Sequence, residues 1–233
     1  MFGDPIPNPR GWPVLRFDSF CDSRLGKMLD ARQQTGEHRR PYLRNANVYW
    51  DRLDLSNVLG MDFDESDRDE FRLQKGDLLV CEGGEVGRCA IWNDELHECY
   101  FQKALHRVRP IQGIATPEYV LYLLWALAKR GGLHEASSKV TFAHLTGVKL
   151  KALRVPLPPV SLQEQFSRRA RPMKQIGGGV LTARERLESL FRGLLARAFN
   201  GDLTASWRAA HMNELLQEME HQAKALAAPA RGD

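Results

Sequence analysis

The sequence predicts an α+β protein: a globular domain with a β-rich core and packed helices, followed by a long coiled-coil-type helix and a short C-terminal helix. Two observations lead to this prediction. Between Leu73 and Arg109, short apolar runs alternate with turn glycines, which is typical of β-structure. After the proline-rich connector at 155–159, apolar residues recur every seven positions, as they do in the seam of a coiled coil.

The composition is that of an ordinary folded protein. Hydrophobic residues make up 43% of the 233 residues and charged residues 27%, so the chain can bury a sizeable core. It contains no run of about 18 apolar residues and no basic-then-apolar stretch at its start, so we expect no membrane span and no signal peptide. The four cysteines share no CxxC spacing, which favours reduced thiols and a cytoplasmic location.

Changes in composition divide the chain into four segments. Residues 1–11 are rich in proline and glycine and are expected to form a lead-in linker. Residues 12–160 form the globular domain, residues 161–203 the coiled-coil helix, and residues 204–233 a C-terminal amphipathic helix with a tail. The prolines within 155–159 mark the boundary between domain and helix, because they favour a rigid extended connector.

The strands are predicted from β-branched and aromatic residues between turn signals. We expect strands at Leu15–Cys21 and Pro41–Trp50. Between Asp77 and Trp92 two apolar runs flank a glycine-rich corner at 82–87, which predicts a hairpin whose glycines adopt positive φ. The loosely alternating segment Cys99–Val108 would add a further strand.

A buried helix follows with clear boundary signals. Thr116 is a suitable N-cap, Pro117 fits the first helical position, and Glu118 favours the positive end of the helix dipole. The next residues are mostly apolar, and Lys129-Arg130 before Gly131-Gly132 are typical of a helix end.

The apolar residues of the long helix have the spacing of a coiled-coil seam. Its heptad positions are Phe166, Met173, Val180, Leu187 and Leu194, and Ile176, Ala183 and Leu190 fill the position three further on. The alternative is the inner face of an ordinary amphipathic helix. Pro172 should kink the helix and Gly177–Gly179 should loosen it.

Charge is unevenly distributed along the chain. Nine Lys and Arg residues but only two acids occur between Phe101 and Val155, whereas six acids surround a single arginine between Asp62 and Glu70. A basic half suits a polyanion partner on one face, and an unevenly charged solvated surface is the alternative.

No motif in the sequence predicts catalysis. The corner Gly83–Gly87 lacks the Lys-Ser/Thr of a phosphate-binding loop, and the acidic run from Asp62 lacks the glycine and the final glutamate of a calcium loop. His97–Cys99 has no partner at metal-ligand spacing. We therefore expect no catalytic residue, no metal and no cofactor in this chain, so that any chemistry comes from another chain.

Several short motifs occur together in a recognisable order. They are Gly11-Trp12-Pro13, Pro41 to Val48, Leu73 to Leu79, Glu82-Gly83-Gly84, Val86-Gly87-Arg88, Tyr100 to Ala104, Val155 to Pro159, Glu164-Gln165 and Leu190 to Leu203. In this order they resemble the specificity (S) subunit of type I restriction-modification enzymes, over nearly the whole chain.

The resemblance implies a non-catalytic subunit that selects the DNA sequence. In that family, target recognition domains each read one half of a split site on double-stranded DNA, and their helices pair as an antiparallel coiled coil. Methyltransferase (M) subunits dock on the helices and use S-adenosylmethionine to methylate adenine, and a restriction (R) subunit completes the complex. The alternative is a regulatory or degenerate interaction protein that binds the M subunit through its helices without reading DNA.

The sequence departs from the family pattern in having one recognition domain and one long helix. We therefore expect either the C-terminal part of a longer subunit or a half-subunit. A half-subunit would form a homodimer or pair with another half S subunit, which would restore two recognition domains.

Candidates for DNA contact come from the motifs and from the basic loop, because Lys and Arg bind phosphates while Arg, Asn and Gln read bases. They are Tyr42, Arg44, Asn45, Asn47, Arg88, Gln102, Lys103, Lys139, Thr141 and His144. Each has a structural alternative. Tyr42 would lie in the core, Asn45 and Asn47 would cap turns, and Gln102 would brace the hairpin.

Overall fold

The computed structural model describes residues 1–30, 34–133 and 144–227, and it describes only the backbone within 174–185 and at Ala225 and Ala227. The described chain forms two compact units, Met1–Pro172 and Met173–Asp233, which we call the first and the second unit. The first unit holds the described strands, and the second is helical. The predicted α+β class is thereby confirmed.

The elements of the first unit are short, apart from one buried helix. Its strands are β1 (Val14–Arg16), β2 (Cys21–Leu25), β3 (Arg39–Leu43), β4 (Val48–Tyr49), β5 (Arg52–Leu53), β6 (Leu59–Asp62), β7 (Leu78–Cys81), β8 (Cys89–Ile91), β9 (Tyr100–Phe101), β10 (Leu105–Pro110) and β11 (Arg154–Pro156). Its helices are α1 (Glu65–Phe71), α2 (Pro117–Arg130), α3 (Gly147–Ala152) and the beginning of α4 (Val160–Phe199).

A four-stranded antiparallel sheet of order β2-β10-β7-β8 lies at the centre of the first unit. A three-stranded sheet of order β6-β3-β9 lies beside it, and there β3 and β9 run parallel. Two small antiparallel pairs, β1-β11 and β4-β5, complete the β-structure of the described residues. Strand β10 therefore has neighbours on both sides, and its two ends define two ends of the central sheet.

The run Leu78–Cys81 is buried throughout because both faces of the central sheet are covered. Leu78 and Val80 belong to the core cluster that includes α2, whereas Leu79 and Cys81 belong to the cluster that includes β9. Successive side chains of a strand face opposite sides, so a continuous apolar run is the pattern expected of such a strand. The predicted hairpin with β8 is confirmed, and Gly84 and Gly87 have positive φ.

The prediction of one strand over Cys99–Val108 is wrong. Strand β9 belongs to the three-stranded sheet and β10 to the central one, so the chain changes sheets at 102–104. A turn makes the change, in which the N–H of Leu105 donates to the carbonyl of Gln102 at 3.2 Å.

Two other strand predictions are too long. A 3-10 turn at Phe17–Ser19 separates β1 from β2, and the Ser19 hydroxyl donates to the carbonyl of Arg16 within it. A second 3-10 turn at Asn45–Asn47 divides the segment predicted from Pro41 to Trp50. Local side-chain bonds to the backbone compete with the sheet at such positions.

Helix α2 has the predicted ends. The Thr116 hydroxyl accepts from the N–H of Tyr119 at 3.3 Å, and Gly131 follows the helix in the left-handed region with φ 76°. Helix α4 stays helical from Val160 to Phe199, through Pro172 and the three glycines 177–179.

The first unit extends beyond the domain expected at 12–160. At its start, the Phe2 ring packs against Tyr119 at 5.1 Å, so residues 1–11 are attached to the domain. The predicted connector at 155–159 is partly a strand, because Val155 pairs with Leu15.

At its end, a polar stripe docks the first turns of α4. Gln163 is fully buried and donates to the carbonyls of Ile114 and Pro158, and its oxygen accepts from the N–H of Thr116 at 3.0 Å. Arg171 bonds to Glu118 at 2.6 Å on the same helix face. These contacts explain why the compact unit ends at Pro172.

The second unit contains the remainder of α4, then α5 (Ala205–Ala210) and α6 (Met212–Ala227). Gly201, with φ 77°, follows the end of α4. Helix α6 confirms the predicted C-terminal amphipathic helix, whereas α5 was not expected. No helix of the described residues is both long and apolar enough to cross a membrane.

Candidate nucleic-acid interface

A cleft of about 440 Å³ opens at the end of the central sheet where β7 ends and β10 begins. We call it the Gln102 cleft. Its lining residues are Met28, Leu29, Asn45, Glu82, Gly83, Gly84, Gln102, Lys103, Ala104 and His144. Four of the residues predicted to contact DNA are among them, although they are far apart in the sequence.

Three segments of backbone meet at this cleft and are bonded to one another. The N–H of Glu82, at the end of β7, donates to the carbonyl of Ala104 at 3.0 Å. The N–H of Lys103 donates to the carbonyl of Lys27, beyond β2, at 2.8 Å. The backbone of the cleft is therefore fixed by the sheets that carry it.

Three predicted side chains at the cleft have no partner in the described part of the chain. Gln102 is half-buried, and Lys103 and His144 are exposed. Among the described residues, none of these three side chains has a hydrogen bond or an ion pair. Their amide, ammonium and imidazole groups are thus free to bond a ligand that enters the cleft. Gln102 was also considered as a brace of the hairpin, and its backbone has such a role, because its N–H donates to the carbonyl of Leu43 at 3.0 Å.

Asn45 and Arg88 are bonded to each other. Arg88 Nη2 donates to Asn45 Oδ1 at 2.7 Å, and Asn45 Nδ2 donates to the carbonyl of Gly83 at 3.0 Å. Glu85 lies 3.8 Å from the Arg88 guanidinium. The pair therefore holds the glycine corner in place, so Asn45 has a structural role, although not that of the turn cap expected as its alternative.

Burial corrects the prediction for Tyr42 and Asn47. Their exposed fractions are 5% and 3%, so neither side chain reaches a ligand on the surface. Asn47 Oδ1 accepts from the N–H of Arg44 at 3.1 Å, and its Nδ2 donates to the carbonyl of Asp54 at 2.8 Å. A buried carboxamide with its bonds made inside the fold is a structural residue.

The remaining predicted residues lie elsewhere. Arg44 is half-buried directly after β3, and its Nε is buried without a hydrogen bond among the described residues. Lys139 and Thr141 lie outside the described residues.

Sequence reasoning missed two apolar residues at the cleft. Met28 is 60% exposed and Leu29 47% exposed. Apolar side chains that face solvent in a cleft suit contact with the thymine methyl group or with sugars. Nothing in the local sequence sets them apart from core residues, because an apolar pair after a strand is more commonly buried.

The opposite end of the central sheet, which we call the Arg109 end, is different. Arg109 donates from Nε and Nη2 to the two carboxylate oxygens of Asp77, at 2.6 and 2.8 Å. Asp77 is 1% exposed, and this hydrogen bond raises the pKa of Arg109. Arg107 is similarly bonded to Asp22 at 2.6 Å. Part of the positive charge counted between Phe101 and Val155 is therefore neutralised within the fold.

The cysteines are structural. Cys21, Cys81, Cys89 and Cys99 are buried as free thiols. Burial raises the pKa of the Cys99 thiol to about 12, so it is not a nucleophile near neutral pH. Among the described residues, no group of three or more His, Cys, Asp or Glu side chains could hold a metal ion.

Solved structures share this fold. The HsdS subunit from Thermoanaerobacter tengcongensis matches with a TM-score of 0.51 at 20% identity, covering 72% of this chain and 38% of that chain. A structure described as showing complex assembly and conformational transition of the type I R-M system matches with a TM-score of 0.57 at 21% identity, covering 80% and 44%. The fold is thus that of type I specificity subunits.

The sequence points to the same family. Residues 9–170 match the type I restriction modification DNA specificity domain, and the chain belongs to this family. The specificity subunits of EcoBI and EcoKI from Escherichia coli are 31% identical over 142 residues and 28% identical over 205 residues. These matches cover 59% and 84% of this chain but only 30% and 44% of the relatives, so the chain spans less than half of their length.

Proposed function

We propose that the first unit binds double-stranded DNA at the Gln102 cleft and selects its sequence. In this proposal the chain is a non-catalytic specificity component, which directs a partner adenine methyltransferase and a restriction subunit to a target half-site. The observation that carries it is the meeting of Gln102, Lys103 and His144 in one cleft, in a chain of the specificity-domain family. Within the described part of the chain these side chains have no partner, and the backbone of the cleft is bonded to the sheets.

The side chains of the cleft have complementary chemistry for this task. A glutamine can bond bidentately to the N6 and N7 edge of adenine, and lysine bonds phosphate oxygens or guanine. Gln102 would then contribute to base selection, and Lys103 to affinity. Met28 and Leu29 would supply apolar contact beside these polar groups.

The second unit would bind the partners. Leu187, Leu190 and Leu194 are each more than half exposed. Such a stripe favours association with another helix, either of an M subunit or of a second S chain, in a homodimer or with another half S subunit. Met173 is also exposed, and the side chains of Ile176 and Val180 lie outside the described part.

Phe166 was predicted to belong to this partner-binding stripe, but its ring lies inside the first unit. Its ring packs against Phe2 at 5.2 Å and Tyr122 at 5.3 Å within the first unit. S-adenosylmethionine would be bound by the methyltransferase and not by this chain.

The test is selection from duplexes with a randomised central segment, with the chain alone and assembled with its M subunit. We expect enrichment of one defined half-site and adenine methylation there. Gln102→Ala should cost about 1–3 kcal/mol of discrimination at one base position, the value of a bidentate contact.

Gln74→Ala is the matched control, because Gln74 is an exposed glutamine at the Arg109 end. Equal losses of base discrimination in Gln102→Ala and Gln74→Ala would contradict the proposal that the Gln102 cleft binds DNA. A stable complex with the M subunit but no enriched sequence would instead support the degenerate interaction protein.

A further inference from the structure

The turn between β9 and β10 contains a residue in a conformation that its side chain disfavours. In the turn Gln102–Leu105, the third residue is Ala104, and its φ is 95°. Turns with positive φ at the third position normally have glycine there. An alanine at this position is therefore strained.

Ala104 differs in kind from the other residues with positive φ. Within the described residues, the non-glycine residues in this region are Asn8, Asp51, Asp94 and Ala104. Asn and Asp tolerate the left-handed region because their side chains bond locally to the backbone, and alanine has no such compensation. Such strain persists only where the surroundings fix the backbone, and it is concentrated at functional sites.

The surroundings do fix this turn. Its first three residues each bond to a different segment. The N–H of Gln102 donates to the carbonyl of Leu43, the N–H of Lys103 donates to that of Lys27, and the carbonyl of Ala104 accepts from the N–H of Glu82. The distances are 3.0, 2.8 and 3.0 Å.

Gly26 makes this close approach possible. A Cβ at Gly26 would lie 2.5 Å from the carbonyl carbon and oxygen of Gln102, and 2.9 Å from the Phe101 ring. The obstacle is backbone, which cannot rotate away as a flexible side chain would. Gly26 does not itself have positive φ, so the position requires glycine for space and not for conformation.

We infer that Gly26 and Ala104 are positioning residues of the Gln102 cleft. Neither supplies a functional group. Gly26 sets how close the turn lies to the end of β2, and Ala104, which cannot relax as glycine would, restricts the directions in which Gln102 and Lys103 project. This inference rests on the proposed function of the cleft. Preorganised side chains bind better because less freedom is lost on binding.

The decisive variant is Ala104→Gly. Relief of the strain should leave the melting temperature unchanged or higher, while the wider backbone freedom should weaken binding to the selected duplex about fivefold. Binding to unrelated duplex at low salt should not change. If Ala104 had only a structural role, the affinity for the selected duplex would change in the same direction as the melting temperature. An unchanged or higher melting temperature together with weaker binding therefore identifies a positioning role.

A second variant, Gly26→Ala, should displace the Gln102 backbone and weaken selective binding by more than Ala104→Gly does. Gly193→Ala is its matched control, because nothing lies within 4 Å of a Cβ at Gly193. If Gly26→Ala fails to fold, Ala104→Gly decides alone.

The inference is overturned if Ala104→Gly keeps the affinity and selectivity of the wild type while the wild type selects a sequence. A wild-type protein that selects no sequence overturns the proposed function, and the inference with it.

Discussion

The two ends of the central sheet use the same kinds of residue for different purposes. At the Arg109 end, Arg107 and Arg109 are bonded to carboxylates of the same fold, and Asp77 is almost completely buried there. At the end that carries the Gln102 cleft, Lys103 and Gln102 have no side-chain partner among the described residues, although their backbone is bonded to neighbouring segments. The difference shows that a basic sequence segment indicates a binding surface only after the cations paired with carboxylates of the same fold have been excluded.

The largest expected effect is at the Arg109 end. Asp77→Ala should lower the free energy of unfolding by about 3–5 kcal/mol, because it leaves the partly buried Arg109 charge without its bidentate partner. Urea denaturation measures this loss. The double variant Asp77→Ala/Arg109→Met should recover part of it, and a loss under about 1 kcal/mol would show that the pair is not structural.

A smaller effect is expected when one lysine at each end of the central sheet is replaced and DNA binding is measured. Lys103→Ala should weaken binding to all duplexes and reduce the slope of log affinity against log salt by about 1, as the loss of one phosphate contact does. Lys75→Ala is the matched control, because Lys75 is an exposed lysine at the Arg109 end. Equal changes in affinity and salt slope in the two variants would contradict the proposal that only the end with the Gln102 cleft contacts DNA.

The smallest effect concerns His106 on β10. It is buried, and its Nε2 donates to the carbonyl of Leu145 at 2.9 Å, next to His144 of the cleft. Burial lowers the pKa of His106, so the unfolded chain takes up a proton near pH 6.5 while the folded chain resists it. Its contribution to stability is therefore complete above pH 6.5 and is lost as the pH falls below that value.

His106→Gln should make the free energy of unfolding less dependent on pH between pH 7 and pH 5, because glutamine keeps an N–H donor and does not titrate. Urea titrations at each pH, for the variant and the wild type, measure the difference. An identical pH dependence in the two proteins would contradict a neutral buried His106.

The local elements of the fold could be predicted from the sequence. Thr116, Pro117 and Gly131 are signals whose physical causes act within a few residues, and they fixed both ends of α2. The change of sheets at 102–104 could not be predicted, because no residue from Gln102 to Ala104 is a turn residue by type. The turn is held by backbone bonds to Glu82 and Lys27, which are distant in sequence.

The candidate site was predictable only in part, for a related reason. Amide side chains serve equally as internal braces and as ligand-binding groups. Residue type therefore does not distinguish Asn47, which is buried, from Gln102, which faces the cleft. What separates them is contact with residues distant in sequence, such as Asp54 for Asn47.

The stripe that docks the start of α4 has a consequence for anyone who wishes to transplant this recognition domain. A graft cut at the prolines would discard Gln163 and Arg171, and so would leave the N–H of Thr116 and the carboxylate of Glu118 without partners. The portable module is therefore residues 1–172, with about three and a half turns of helix included as part of the domain.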